Sequence, residues 1–226
     1  MPAASVAYKA PAPEGPAPEE RARTASEDAW ENPVDPDGDC NVELDRSEGK
    51  VRIIVPGKRH LLSAEIGQIN APRVLRGIKG DFDLSVRIAG TKHPRGRPTT
   101  TMYSPYHGAG LVIWQDEGNY VRLEIATDLQ NGRERPYVNF EYRKEGALAV
   151  SRGMRNWDGS NQLRLMRRGD EIIASFGPDG VRWSSFPPLT VKLNDRLKVG
   201  LTAINSSTKR LTAELEGFVV LIRGPS

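Results

Sequence analysis

The chain has one cysteine, Cys40, so an internal disulfide is excluded and cysteine usage says little about compartment. No stretch approaches the ~18 consecutive apolar residues of a membrane helix. Charge of one sign is also missing. The 32 Lys and Arg residues face 29 Asp and Glu, a formal net charge of +3. That balance gives no strong pull towards nucleic acid. There is no Ser-His-Asp order, no Gly-rich phosphate loop and no Cys/His cluster with metal spacing. Nucleotide and zinc chemistry are therefore not expected.

Residues 2–26 contain little that is hydrophobic and are rich in Pro, Ala and Glu. A signal peptide needs a basic start and a continuous apolar region, and this segment has neither. Such a composition does not bury enough surface to offset the entropy of ordering. Residues 1–27 are therefore expected to be a disordered linker or tail, and 28–223 a single β domain. The linker suggests an upstream domain. Localisation stays open: a trimmed N-terminus would hide an export signal.

What is present is period-two patterning. In Asn119–Thr127, Val121, Leu123 and Ile125 point one way, with Tyr120, Arg122 and Glu124 opposite. In Pro136–Arg143, Val138, Phe140 and Tyr142 share a face, opposite Tyr137, Asn139, Glu141 and Arg143. The first set in each strand reads as core. The opposite sets are unusually rich in Arg, Glu, Asn and aromatic rings for a solvated face. The short link between the two strands makes them antiparallel neighbours, so the two polar sets meet.

Similar patterning fills the rest of the chain. Asn41–Asp45 and Lys50–Val55 read as a hairpin. Residues 70–78 and 81–90 read as two strands joined around Gly80, with Arg73 sharing a face with Leu75. Residues 164–185 read as a tight meander. About thirteen short strands are expected by these rules, and so many strands favour a sandwich over one open sheet. Residues 91–108 read as a long basic loop in which Tyr103 and Tyr106 supply ring surfaces. Asp35, Asp37 and Asp39 alternate around Pro36 and Gly38. This is either a turn entering a strand or a calcium-binding carboxylate set. An EF-hand is excluded, because its sixth and twelfth positions would hold Cys40 and Arg46.

Several segments in order resemble a family: DPDGDC, VPGKRHLL, NAPRVLR followed by GDF, AGLVIWQDEGNYVRLE, and RLMRRGDEIIASFGPDGVRW with VGLTAINSS. Together they resemble the bacterial domain of unknown function 1349, grouped with concanavalin A-like lectins and glucanases. The resemblance spans roughly residues 28–222. It implies an all-β, concanavalin A-like jelly-roll β-sandwich of two antiparallel sheets, one of them concave. Relatives of that architecture bind or cleave glycans on the concave face. Glucanases of this superfamily often carry a Glu-x-Asp-x-x-Glu or Glu-x-Asp-x-Glu strand motif. Here the corresponding strand reads Arg122-Leu123-Glu124-Ile125-Ala126.

The candidate ligand-binding residues are Trp114, Tyr120, Arg122, Glu124, Asn139, Glu141 and Arg143, with no catalytic residue and no obligatory metal assigned. An exposed Trp114 ring would stack on the apolar face of a sugar. The expected partner is a glycan or other polar ligand, with neither nucleic acid nor membrane involved. Two alternatives stand beside this binding module. One is a glycan hydrolase using Glu124 and Glu141 as its carboxylate pair, ~5 Å apart if retaining or ~6.5–9.5 Å if inverting. The other is a protein-interaction module carried on the Pro-rich linker.

Overall fold

A computed structural model describes residues 23–24, 30–91, 93–99, 104–155 and 159–222. Among these, the chain forms seventeen strands and one 3-10 helix, Ala64–Ile66. The strands are β1 (Arg23–Thr24), β2 (Asn41–Asp45), β3 (Lys50–Val55), β4 (Leu62–Ser63), β5 (Gln68–Ile69) and β6 (Arg73–Lys79). They continue with β7 (Phe82–Thr91), β8 (Tyr106–Asp116), β9 (Asn119–Gln130), β10 (Arg133–Lys144), β11 (Ala147–Arg155) and β12 (Gln162–Arg168). The last are β13 (Glu171–Gly177), β14 (Ser184–Ser185), β15 (Leu189–Thr190), β16 (Arg196–Asn205) and β17 (Leu211–Ile222). No helix of the described residues is long and apolar enough to cross a membrane.

Two antiparallel sheets pack face to face as a jelly-roll sandwich. One runs β14-β13-β12-β7-β17-β3-β2, with β1 added on β17 and β15 on β13. The other runs β11-β10-β9-β8-β16-β6. Their inner faces bury one continuous core that includes Ile53, Phe82, Leu84, Leu111, Ile113, Val121, Leu123, Val138, Phe140, Leu163 and Leu201. Each such side chain contributes about 1.5–3 kcal/mol by leaving water. The alternation read from β9 and β10 is the one the core uses.

The hairpin between β9 and β10 turns through Asn131 and Gly132, at φ 51° and 73°. Two left-handed residues are what a two-residue hairpin requires, and Asn-Gly supplies them at low cost. This turn sets the register of the site described below. The β2–β3 hairpin and the β12–β13–β14 meander also form as the sequence suggests.

Other expectations change. Consecutive strands β6 and β7 lie in different sheets, so the chain crosses the sandwich at Gly80. The long loop ends earlier than expected, because Tyr106, His107 and Gly108 already belong to β8. Tyr103 and Trp157 lie outside the described residues. So does most of the expected tail, although Arg23 and Thr24 pair with Ile222 and Leu221 at the free end of β17.

Residues 60–72 form an extra layer on the outer face of the six-stranded sheet. His60 and Asn205 bridge at one end. Beneath this layer lies a second apolar cluster: Leu61, Leu62, Ala71, Leu75, Val112, Trp114, Tyr120 and Ile204. It gives the outer face a sealed half, beside which the polar residues of β9 and β10 gather.

Candidate functional site

The polar sets of β9 and β10 meet in register. Arg122 lies opposite Glu141, Glu124 opposite Asn139, and Tyr120 opposite Arg143. All six are buried. The Arg122 guanidinium donates to the Leu62 carbonyl at 3.1 Å and to Glu141 Oε2. Its Nε lies 2.8 Å from Glu124 Oε1, an ion pair without hydrogen-bond geometry. Arg143 donates to Glu141 Oε2 and grips both oxygens of Glu65, at 3.1 and 3.2 Å. The Asn139 amide donates to Glu124 Oε1 at 3.0 Å. The face is a braced network of planar groups.

Its two central carboxylates are electrostatically different. Burial pushes Glu141 up, but Arg122 and Arg143 together outweigh it and hold the group at about 2. Burial dominates at Glu124, raising it above the ordinary carboxylate range despite Arg122. Glu124 has no exposed surface, and its Oε2 has no hydrogen-bond partner. The Tyr106 hydroxyl is also buried and without a partner. Both atoms crowd Gly108. A Cβ there would come within 2.5 Å of Glu124 Oε2 and 2.6 Å of the Tyr106 hydroxyl. Burial, reinforced by Glu124, shifts the Tyr106 and Tyr137 hydroxyls upwards.

A cavity of about 310 Å³ opens over this network. Of the residues singled out from sequence, Arg122, Asn139, Glu141 and Arg143 line it. Tyr120 and Glu124 do not: they lie behind the wall, where Tyr120 accepts the Ala64 N–H at 3.2 Å. Sequence reasoning missed Leu61, Ser63 and Glu65 from the covering layer and Leu148 from β11, whereas Ser104, just before β8, and Tyr106, its first residue, come from the segment read as a basic loop with ring surfaces. Tyr137 shares the polar face of β10, and alternation alone could have nominated it. Its ring packs edge-on to Tyr106 at 6.2 Å, which fixes it at the cavity.

The expected exposed tryptophan is corrected. Trp114 is on the outer face, but only 8% of it is exposed. Its ring stacks on Tyr120 at 5.1 Å, and the Arg73 guanidinium covers it at 4.4 Å. The layer of residues 60–72 closes over that cluster, so the indole is a packing element and leaves the cavity to Tyr137.

In the Asp35–Asp39 turn, each carboxylate has its own protein partner. Asp35 caps the Cys40 N–H at 2.8 Å. Asp37 accepts from Asn70 at 2.7 Å, and Asp39 accepts from Lys58 at 2.9 Å and meets His60 Nε2 at 2.8 Å. Asp37 also lies 3.7 Å from His60 Nε2, so Asp37 and Asp39 flank one imidazole while Asp35 caps the turn. Ligand atoms of Asp39, Cys40 and His60 lie within 4.8 Å of one another, the set among the described residues with spacing for a metal ion. Burial and the nearby Asp35 carboxylate push the Cys40 thiol well above its ordinary range.

No protein-family model and no curated protein matches the sequence. Solved structures do match. A functionally unknown protein from Saccharomyces cerevisiae superposes with a TM-score of 0.63 at 15% identity, covering 86% of this chain and 96% of that one. A legume lectin-like domain from Entamoeba histolytica gives 0.52 at 8% identity, covering 87% of this chain and 91% of that one. The Bacteroides ovatus xyloglucan-locus protein GH43B gives 0.54 at 11% identity, covering 82% of this chain, which spans only 37% of that protein. Strand order, antiparallel pairing and these likenesses agree: the fold is a concanavalin A-like jelly-roll sandwich of two antiparallel sheets.

Proposed function

We propose that this chain is a noncatalytic carbohydrate-binding module, and that its ligand occupies the cavity beside residues 61–65. The observation that carries the reading is the cavity wall itself. It presents the Asn139 amide, the Glu141 carboxylate, two guanidiniums and the Tyr137 ring from adjacent strands, all braced by one another. Planar amide and carboxylate groups match pairs of sugar hydroxyls, and a fixed ring covers a sugar's apolar face. Groups already held in place lose little entropy on binding.

The same geometry argues against turnover. A general acid must reach the bond it protonates. Glu124, the carboxylate whose environment favours the protonated form, is walled off. Glu141 faces the cavity but is held ionised by two guanidiniums. The finer family assignment, to the bacterial domain of unknown function 1349, belongs to this reading and is supported by the order of the matching segments. So does attachment to an upstream domain through the Pro-rich segment.

A glycan array with matched hydrolysis assays tests the proposal. Binding to a defined glycan set without product formation is the expected result. Hydrolysis that disappears in Glu141→Gln or Glu124→Gln would move the assignment to a glycan hydrolase. Absence of any glycan binding would favour the protein-interaction alternative.

A further inference from the structure

We propose that the cavity takes uncharged sugars and turns away acidic ones such as uronates. This deepens the carbohydrate-binding reading and rests on it. Three carboxylates, Glu65, Asp128 and Glu141, line the cavity against two guanidiniums, Arg122 and Arg143. A fourth carboxylate, Glu124, stands directly behind the wall.

The guanidiniums are not an open anion site, because each of their nitrogens already lies against a protein oxygen. Arg143 has Glu65 along its Nε–Nη2 edge and Glu141 at Nη1. Arg122 has Glu141 at Nη2, a backbone carbonyl at Nη1 and Glu124 beside Nε. A ligand carboxylate would have to displace one of these carboxylates: Glu65 is exposed and can swing into water, but Glu141 or Glu124 would be left buried and unpaired. At the rim, Arg135 is likewise paired with Asp128 through Nε at 3.1 Å and Nη2 at 2.8 Å.

The wall therefore offers mostly acceptor oxygens, with the Ser63 and Ser104 hydroxyls as its uncharged donors, since the Asn139 amide already donates to Glu124 and the Ser206 hydroxyl to the Ser104 carbonyl. Sugar hydroxyls both donate and accept, so they suit such a wall. A carboxylate only accepts, and it would face like charge at short range. The volume of about 310 Å³ falls at the small end of ligand sites, which span about 300–1,000 Å³. It accommodates one or two sugar rings.

The test uses paired trisaccharides that differ only at the terminal C6, as the primary alcohol or as the uronate. Glucose- and galactose-terminated pairs are titrated calorimetrically into the whole protein at low and high salt. The expected result is binding of the neutral member and at least about tenfold weaker binding of the uronate. The gap should narrow as salt rises, since screening weakens repulsion at the exposed rim. It should also narrow in Asp128→Asn, which frees Arg135. Uronates binding as tightly as their neutral partners would overturn this inference and leave the carbohydrate-binding reading standing. Failure of both members of both pairs, together with an empty glycan array, would instead remove the carbohydrate-binding reading and this inference with it.

Discussion

Arg143 holds Glu65 by two parallel hydrogen bonds across 78 residues of sequence, Nε to Oε2 at 3.2 Å and Nη2 to Oε1 at 3.1 Å. Only 2% of the Arg143 side chain is exposed. This pair fastens the covering layer of residues 60–72 to the six-stranded sheet and shapes one wall of the cavity. Glu65→Ala should cost about 1–3 kcal/mol, since Arg143 keeps Glu141 but loses two charge-assisted bonds. Urea denaturation measures the loss. Hydrogen exchange should rise first in residues 61–66, before any change in the sandwich core.

Trp114→Ala should destabilise the protein by about 3–5 kcal/mol, as a large aromatic is removed from a closed cluster. Its folded fraction should keep its glycan binding, because the ring does not line the cavity. Tyr137→Ala should behave oppositely, with a modest stability loss and loss of glycan binding. Denaturation curves and titrations on both variants separate a packing role from a ligand-facing one.

Gly108→Ala should destabilise by about 1–3 kcal/mol, the usual cost of overpacking. The added methyl meets the Glu124 carboxylate and the Tyr106 ring, both hemmed in by neighbours. The thermal midpoint gives the stability change, and weaker glycan binding in the same variant would show that Tyr106 shapes the cavity wall.

The acid dependence of stability follows from the split between the two glutamates. Glu141 has a folded value of about 2 against an ordinary glutamate value of 4.5. The unfolded state therefore binds more protons between these values, and stability rises with pH through that window. The Glu141 contribution is on the order of 3 kcal/mol when fully present above pH 4.5, and it is lost as pH falls towards 2. Glu124 has the opposite sign. Its folded value is raised, so it favours the native state below its unfolded value and loses that contribution as pH rises through the folded one. Glu141→Gln should flatten the acid limb of a denaturation-against-pH curve. Glu124→Gln should remove a fall in stability above pH 4.5 and leave the limb below it unchanged.

Much of the site was legible from strand alternation. Tyr120, Arg122 and Glu124 on one strand, and Asn139, Glu141 and Arg143 on the next, share a face because successive side chains alternate. The two-residue Asn131–Gly132 turn then fixes which residues stand opposite one another. Contacts from residues 60–72 were not legible. Nothing local to Trp114 shows that Arg73 and the covering layer will bury it, and nothing local to Arg143 points to Glu65. Whether β6 and β7 pair or separate also depends on the whole sandwich, since a short Gly-containing link serves either purpose. Tyr137 was readable as outward-facing, but its value at the cavity came from packing on Tyr106.

Chemical-shift mapping on isotope-labelled protein, titrated with the strongest neutral glycan from the array, tests the central claim most directly. The account predicts saturable shifts concentrated at Ser63, Glu65, Tyr106, Arg122, Tyr137, Asn139, Glu141 and Arg143. Shifts confined to the nine-stranded sheet, or no saturable shifts at any glycan concentration, would contradict it.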